Sequence, residues 1–375
     1  MTPPLSIAAS VHQPGAMPGD PLPYAGPDSF TFVRVVIRDD AGHRGEGVTG
    51  RFLAAEVAHF LNHAVSAAIA DGAPADPAAL MRRFNPRGMT GVVVSALSAL
   101  EIALTDLEAR RQGISVAALL GGARPGAPVH VTCGFPALDT DALVTACARE
   151  VEAGARGVKV LIAAKGRSVA EDVARLRAVR AAIGDAELIA DANCGMDEET
   201  ARDFMRAAAD LDLTWLEEPV HGNDRHALAR LAAQDVMPIG AGQMEGSLDR
   251  FRLLAEAGVR VLQPNAVFAG GFAAAIAAAR AGAAQGCAIS PAAGWDTVNL
   301  HWMCGALGDG AVELHRAHDR IARLLLGRPP QATQGKLRVP DAPGLGFAPD
   351  EDALAACRVP APGETGKTPN RRPEP

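Results

Sequence analysis

GVKVLIAAKGRSVAEDVARLRAVRAAIGDAELIADAN, residues 157–193, is one turn of a repeating unit, and its reading decides the fold. GVKVLIA and ELIADAN are short apolar runs of strand length, and AEDVARLRAVRAAIG between them spaces its apolar residues as a helix does. Strand, helix and strand in that order give a parallel pair joined by a crossover. The alternation starts at VHVTCGF (129–135) and continues through LTWLEEP (213–219), MPIGAGQ (237–243), VRVLQPN (about 260–265), CAIS (287–290) and AVELH (311–315). Stretches such as DALVTACAREVEAG and LDRFRLLAEAG supply the intervening helices. Eight strands alternate with seven helices, and eight units fit a closed barrel better than an open sheet. A doubly wound sheet is the alternative, but no G-x-G-x-x-G follows the first strand, which speaks against a dinucleotide site. The expected class is α/β, a (β/α)7β TIM-like barrel.

Ahead of the barrel the pattern differs. Residues 1–28 are rich in Pro and Gly and read as irregular. FTFVRVVIRDD (30–40), the turn DDAG and HRGEGV form a hairpin, and helical patterns follow at about 53–70, 77–83 and 90–112. The last is apolar on most faces and stops at Gly113, as a buried helix does. The expected organisation is an α+β capping domain over 29–125 and the barrel over 126–325. A C-terminal segment, 326–360, then returns to the cap, and 361–375 is a disordered tail.

Apolar residues make up 48% of the 375 and the net charge is −7, an ordinary globular balance with no basic stripe for nucleic acid. No apolar run reaches the roughly 18 residues of a membrane span, and the N-terminus lacks the basic start and apolar core of a secretory signal. The six cysteines are scattered without C-x-x-C or zinc spacing, so reduced thiols in the cytoplasm are expected.

Chemistry in such a barrel sits at the C-terminal ends of the strands. Those ends carry Lys159, Asp191 and Asn193, Glu217 and Glu218, Gln243 with Glu245, Asn265 and Glu313. Asp191, Glu217 and Gln243 are 26 residues apart in turn, at equivalent places on successive strands. Hard oxygen donors at that density suit Mg²⁺. Any one of them alone reads more simply as a helix cap or a loop salt bridge. Lys159 is one of only four lysines and lies inside an apolar run, where an unpaired ammonium is costly to bury. The carboxylates within its reach are the proposed metal ligands, so even a purely structural pairing keeps it at the site.

At these residues the sequence resembles the enolase superfamily, in its mandelate racemase/muconate lactonizing enzyme-like branch. The resemblance spans about residues 30–357 and rests on GEGVTGRFLAAEVA, NPRGMTG with SALSALEIALTDLEARRQG, DAN, WLEEP, LQPN with the following GG, and VPDAPGLGF. It implies an α+β cap on a (β/α)7β barrel, a bound Mg²⁺ and a carboxylate substrate that loses its α-proton. It also implies a homo-oligomer, and composition gives no expectation of a nucleic-acid or membrane partner. The outcomes it implies are racemisation, cycloisomerisation and, commonly, dehydration of a sugar acid. The family's K-x-K reads Lys159-Val160-Leu161 here, which leaves Lys159 one step deeper, about 6.6 Å along the strand, and Lys165 as the other candidate base. The third metal ligand, usually Glu, is Gln243 or Glu245. The His-Asp pair reads Asn265 and Ala292, which disfavours a two-base racemase because neither side chain transfers protons. Glu313 matches the late electrophilic glutamate. Asn193, Asn265 and Trp295 are the expected substrate contacts, with Asp296 beside them and Arg51 and Arg87 in the cap segments. Cys194 has no base partner to make it a nucleophile. The expected function is a Mg²⁺-dependent hydro-lyase on a hydroxy acid, with Lys159 as base; the alternatives are a racemase or epimerase and a non-catalytic relative.

Overall fold

The computed structural model describes residues 5–16, 30–85 and 91–360. Thirteen strands occur among them: β1 (Ser6–His12), β2 (Phe32–Arg38), β3 (Arg44–Thr49), β4 (Gly126–Gly134), β5 (Gly157–Leu161), β6 (Glu187–Asp191), β7 (Trp215–Glu217), β8 (Ile239–Ala241), β9 (Val261–Leu262), β10 (Ala288–Ile289), β11 (Val312–His315), β12 (Lys336–Arg338) and β13 (Arg358–Val359). Arg87 and the tail from 361 lie outside the described residues.

The cap sheet is antiparallel, in the order β13-β1-β2-β3. β1 corrects the reading of the N-terminal segment as irregular, since Ser6–His12 pairs with β2 along its whole length. Its alternation is faint because Ala8 and Ala9 contribute little apolar contrast. The helical run after β3 contains a π-turn at Leu61–Val65. There Asn62 uses its amide to accept from the Ala9 N–H and donate to the Ala9 carbonyl, both at 2.8 Å, and so pins β1 to the cap.

The GEG of the cap hairpin has a steric origin. A Cβ on Gly47 would lie 1.9 Å from the Ala99 carbonyl oxygen, and one on Gly45 2.2 Å from that of Ala103. Only glycine lets β3 approach the Val92–Arg111 helix this closely. Asp106 on that helix is fully buried and accepts from Glu46 N–H (2.8 Å), Leu345 N–H (2.6 Å) and Arg110 Nε (2.8 Å). One carboxylate thereby ties hairpin, helix and C-terminal chain together. Arg34 adds to the clasp with Nε on Glu46 (2.8 Å) and a two-pronged pair to Glu351 (2.8 Å each).

The barrel strands follow the order β10-β9-β8-β7-β6-β5-β4-β11, all parallel, with β12 antiparallel against β4. Parallel pairing is forced by the helical crossovers. Among the described residues no backbone ladder joins β10 to β11. Glu313 on β11 bridges that seam instead, accepting from the Gly294 N–H at 2.6 Å.

Gly47→Ala adds a Cβ that the helix backbone cannot move away from cheaply. It is expected to cost about 1–3 kcal/mol in thermal unfolding, whereas an unchanged melting midpoint would show that the close approach of helix and hairpin is not needed.

Candidate active site

Register places the site before any side chain is considered. Asp191 pairs with Glu217 across β6 and β7, and Leu161 pairs with Asp191 across β5 and β6. Lys159 lies two residues below Leu161 on the same inward face, level with Thr132 of β4. Glu313 lies on β11 beyond β4. Five neighbouring strands, β11-β4-β5-β6-β7, therefore bring one ammonium and several carboxylates into a single ring.

Lys159 is almost fully buried, at 2% exposure. Its Nζ lies 2.6 Å from Glu217 Oε1, 2.9 Å from Glu313 Oε1 and 3.9 Å from Asp191 Oδ2. Burial by itself disfavours the ammonium, but Glu217, Glu313 and Asp191 outweigh that and hold the lysine above its ordinary range. Lys159 Nζ is thereby tied to carboxylates on β7 and β11. Its partners are fixed in turn. Glu217 also accepts from Trp215 Nε1 at 3.0 Å. Glu313 accepts from Thr132 Oγ1 at 2.5 Å and from Gly294 N–H. Burial opposes ionisation of Glu313, but adjacent Lys159 prevails and its carboxyl is held down to about 2.

The other carboxylates show the opposite behaviour. Asp191 is pushed well above the usual carboxylate range, first by burial and then by the charge of Glu217, despite the nearby lysine. Glu218 is raised by burial, although Asn223 donates to it at 2.9 Å and Gln243 Nε2 at 2.5 Å. Three carboxylates thus share one ammonium, and Glu218 relies on the two amides instead. The backbone here is also strained: Asn193 (φ 46°), Cys194 (φ 58°), Glu218 (φ 40°) and Trp295 (φ 58°) all adopt left-handed conformations. Each costs about 1–3 kcal/mol outside glycine, and such residues gather at functional sites.

The remaining expected site residues divide. Gln243 is buried beside Glu218, and its carbonyl oxygen is the only donor it has for a cation. Glu245 turns to Arg250, with contacts of 2.8 and 3.0 Å, whereas Gln243 is the one that reaches the carboxylates. Asn265 is corrected. It is fully buried, it caps the helix after it by accepting from Val267 N–H (3.0 Å), and it donates to the Ala292 carbonyl (2.6 Å), so its amide is spent on the backbone. Asn193 is exposed at the mouth. Lys165 is exposed in the loop beyond β5. Trp295 is buried beneath the cap, edge-on to Phe32 (6.2 Å) and His318 (5.6 Å). The Cys194 thiol is pushed up to about 12 by burial and by Glu218, which removes it as a nucleophile. His301 is a core histidine between Ala117 N–H (3.1 Å) and the Leu345 carbonyl (3.3 Å).

Residues that sequence reasoning passed over are Thr132, Trp215 and His315. Strand periodicity contained the signal for His315, since it stands two residues after the inward-facing Glu313 and therefore shares its face.

A parallel barrel under an α+β lid, with acidic side chains converging at the strand ends, defines the class of capped barrels with a covered C-terminal-face site. Two family models match: "Mandelate racemase / muconate lactonizing enzyme, N-terminal domain" over residues 25–121 and "Enolase C-terminal domain-like" over 142–353. The chain belongs to this mandelate racemase/muconate lactonizing enzyme branch of the enolase superfamily. It is 30% identical over 301 residues to a D-galactarolactone cycloisomerase of Agrobacterium fabrum, spanning 76% of this chain and 79% of that one. It is 31% identical over 269 residues to an L-talarate/galactarate dehydratase of Salmonella typhimurium, spanning 71% of this chain and 66% of that one. Among solved structures, the L-talarate dehydratase of Polaromonas sp. JS666, complexed with Mg and L-glucarate, superposes with a TM-score of 0.77 at 26% identity. That match covers 95% of this chain and 98% of the other.

Two outcomes follow from the electrostatics. Lys159→Met leaves Glu217 and Glu313 facing each other without a cation and is expected to cost about 3–5 kcal/mol in urea unfolding; a loss below about 1 kcal/mol would show the ring to be solvated. Asp296, buried at the start of the Asp296–Ala306 helix after β10, is pushed up to about 7 by burial, with Asp319 and Glu313 adding to it. The folded state therefore keeps a proton that the unfolded chain releases near 3.8, and stability falls as pH rises between those values. Asp296→Asn is expected to gain in melting temperature over the wild type progressively from pH 4 to 7, and a pH-independent difference would contradict this.

Proposed function

We propose that this protein is a Mg²⁺-dependent lyase that removes the α-proton of a sugar acid and expels a β-hydroxyl as water. The observation that carries the reading is the buried charge imbalance at the mouth: Asp191, Glu217, Glu218 and Glu313 against the single ammonium of Lys159. A divalent cation corrects that imbalance, and hard oxygen donors suit magnesium. Among the described residues no three His, Cys, Asp or Glu side chains form a ready metal site. The donor set that fits is mixed: the carboxylates of Asp191 and Glu217, level on adjacent strands, and the amide oxygen of Gln243. A metal held there stabilises the negative charge that develops on the substrate carboxylate as the α-proton leaves. Lys159 adds a positive charge beside the same group, and Glu313, anchored by Thr132 and Gly294, keeps that ammonium in place. The names of the relatives, a cycloisomerase and dehydratases of acid sugars, support the same substrate class.

One observation favours a second reading, a carboxylate binder without turnover. Leu161, Asn265 and Ala292 stand where the family places its proton-transfer groups, and none of them transfers protons.

The test is proton NMR in D₂O with Mg²⁺ and galactarate, L-talarate or L-glucarate. The expected result is loss of the C2 proton signal with formation of a 2-keto acid, abolished by chelation and reduced about 100-fold or more in Glu217→Gln. Mg²⁺-dependent thermal stabilisation with no exchange on any of the three acids would establish the binder instead.

A further inference from the structure

The charge ring ties Lys159 Nζ to Glu217 (2.6 Å) and Glu313 (2.9 Å), and two positions at which the family carries proton-transfer groups read Leu161 and Ala292. Three neighbouring strands place another candidate there. His315 of β11 pairs in register with Thr132 of β4, which pairs with Lys159 of β5. All three share the inward face, so the imidazole stands at the height of the lysine, two strands round the barrel from it. It is also one inward step nearer the mouth than Glu313. Its ring packs against Phe135 (5.7 Å) and His318 (4.9 Å), and its Nδ1 has no hydrogen-bond partner among the described residues. His318 is oriented by its own contact, accepting the Trp295 N–H at Nδ1 (3.3 Å), which leaves its proton on Nε2. The groups acting on His315 are Glu313, Lys159, Glu217 and His318. Burial outweighs the carboxylates among them and keeps the imidazole below its ordinary value.

We propose that His315 is the acid/base group of this site, replacing the side chains lost at Leu161 and Ala292, with His318 as its positioning residue. The inference rests on the lyase reading above. In the step assigned to it, the α C–H bond breaks and its electron pair becomes the C–C double bond of an enediolate while the proton passes to the imidazole. The β C–O bond then breaks with its electron pair, and the departing hydroxyl takes that proton from the imidazolium and leaves as water. The resulting enol becomes the 2-keto acid. One imidazole serves both halves, so no second base on the opposite face is required.

The experiment compares wild type, His315→Asn, His315→Ala and His318→Gln on the three acids with Mg²⁺, following C2 exchange and turnover. Galactarate affinity and Mg²⁺-dependent melting are measured alongside. A general acid–base group is worth about 10²–10⁴-fold, so both His315 variants should lose at least 100-fold in kcat with affinity and metal stabilisation within about twofold. Added imidazole should restore at least tenfold in His315→Ala but not in His315→Asn, where the space is filled. His318→Gln should lose less than His315→Ala and show no rescue. Exchange by the wild type with more than a tenth retained in His315→Asn overturns this assignment while leaving the lyase reading intact, and so does loss without imidazole rescue. Absence of exchange in the wild type on every acid overturns both.

Discussion

The structure depends on a single buried ammonium set among carboxylates. Burying Lys159 removes it from water at a cost of several kcal/mol, and only close, well-oriented anions make that tolerable. Glu217 and Glu313 meet the requirement because each is held by further donors, Trp215 and the Thr132–Gly294 pair respectively. The same lysine cannot satisfy Asp191 and Glu218 as well. Asp191 and Glu218 are left at the barrel mouth without a full counter-charge, and burial raises both.

Glu313 belongs to both the chemistry and the architecture. Its carboxylate neutralises the lysine and also bridges the gap between the first and last strands of the curled sheet. The cap depends on the same kind of shared group, since Asp106 serves three chain segments through one buried side chain. In both places a short polar group joins elements distant in sequence, so the site is built where the chain is most cross-braced.

The lid contributes less to charge than to enclosure. Gly45 and Gly47 let the hairpin settle onto its helix, and Trp295 lies between Phe32 of that hairpin's sheet and His318 of the barrel. Excluding water there strengthens every charge interaction beneath.

Periodicity and spacing alone determined the barrel, the cap helix and the inward direction of Lys159, Asp191, Glu217 and Glu313, because alternation along a strand and recurrence between strands are local and regular. The family resemblance was legible for the same reason. Ser6–His12 was not legible as a strand, because its partners, Phe32–Arg38 and Arg358–Val359, lie far from it along the chain. Nor was the choice between Gln243 and Glu245, since two residues of loop decide which side chain turns inward and which meets Arg250. Asn265 looked like a substrate contact, but a carbonyl of another loop takes its amide. The partners of Lys159 belonged to the tertiary structure most of all. Whether a buried amine is an acid or a base is set by the distances to charges on other strands, and Coulomb energy at close range in a dry interior changes steeply with those distances.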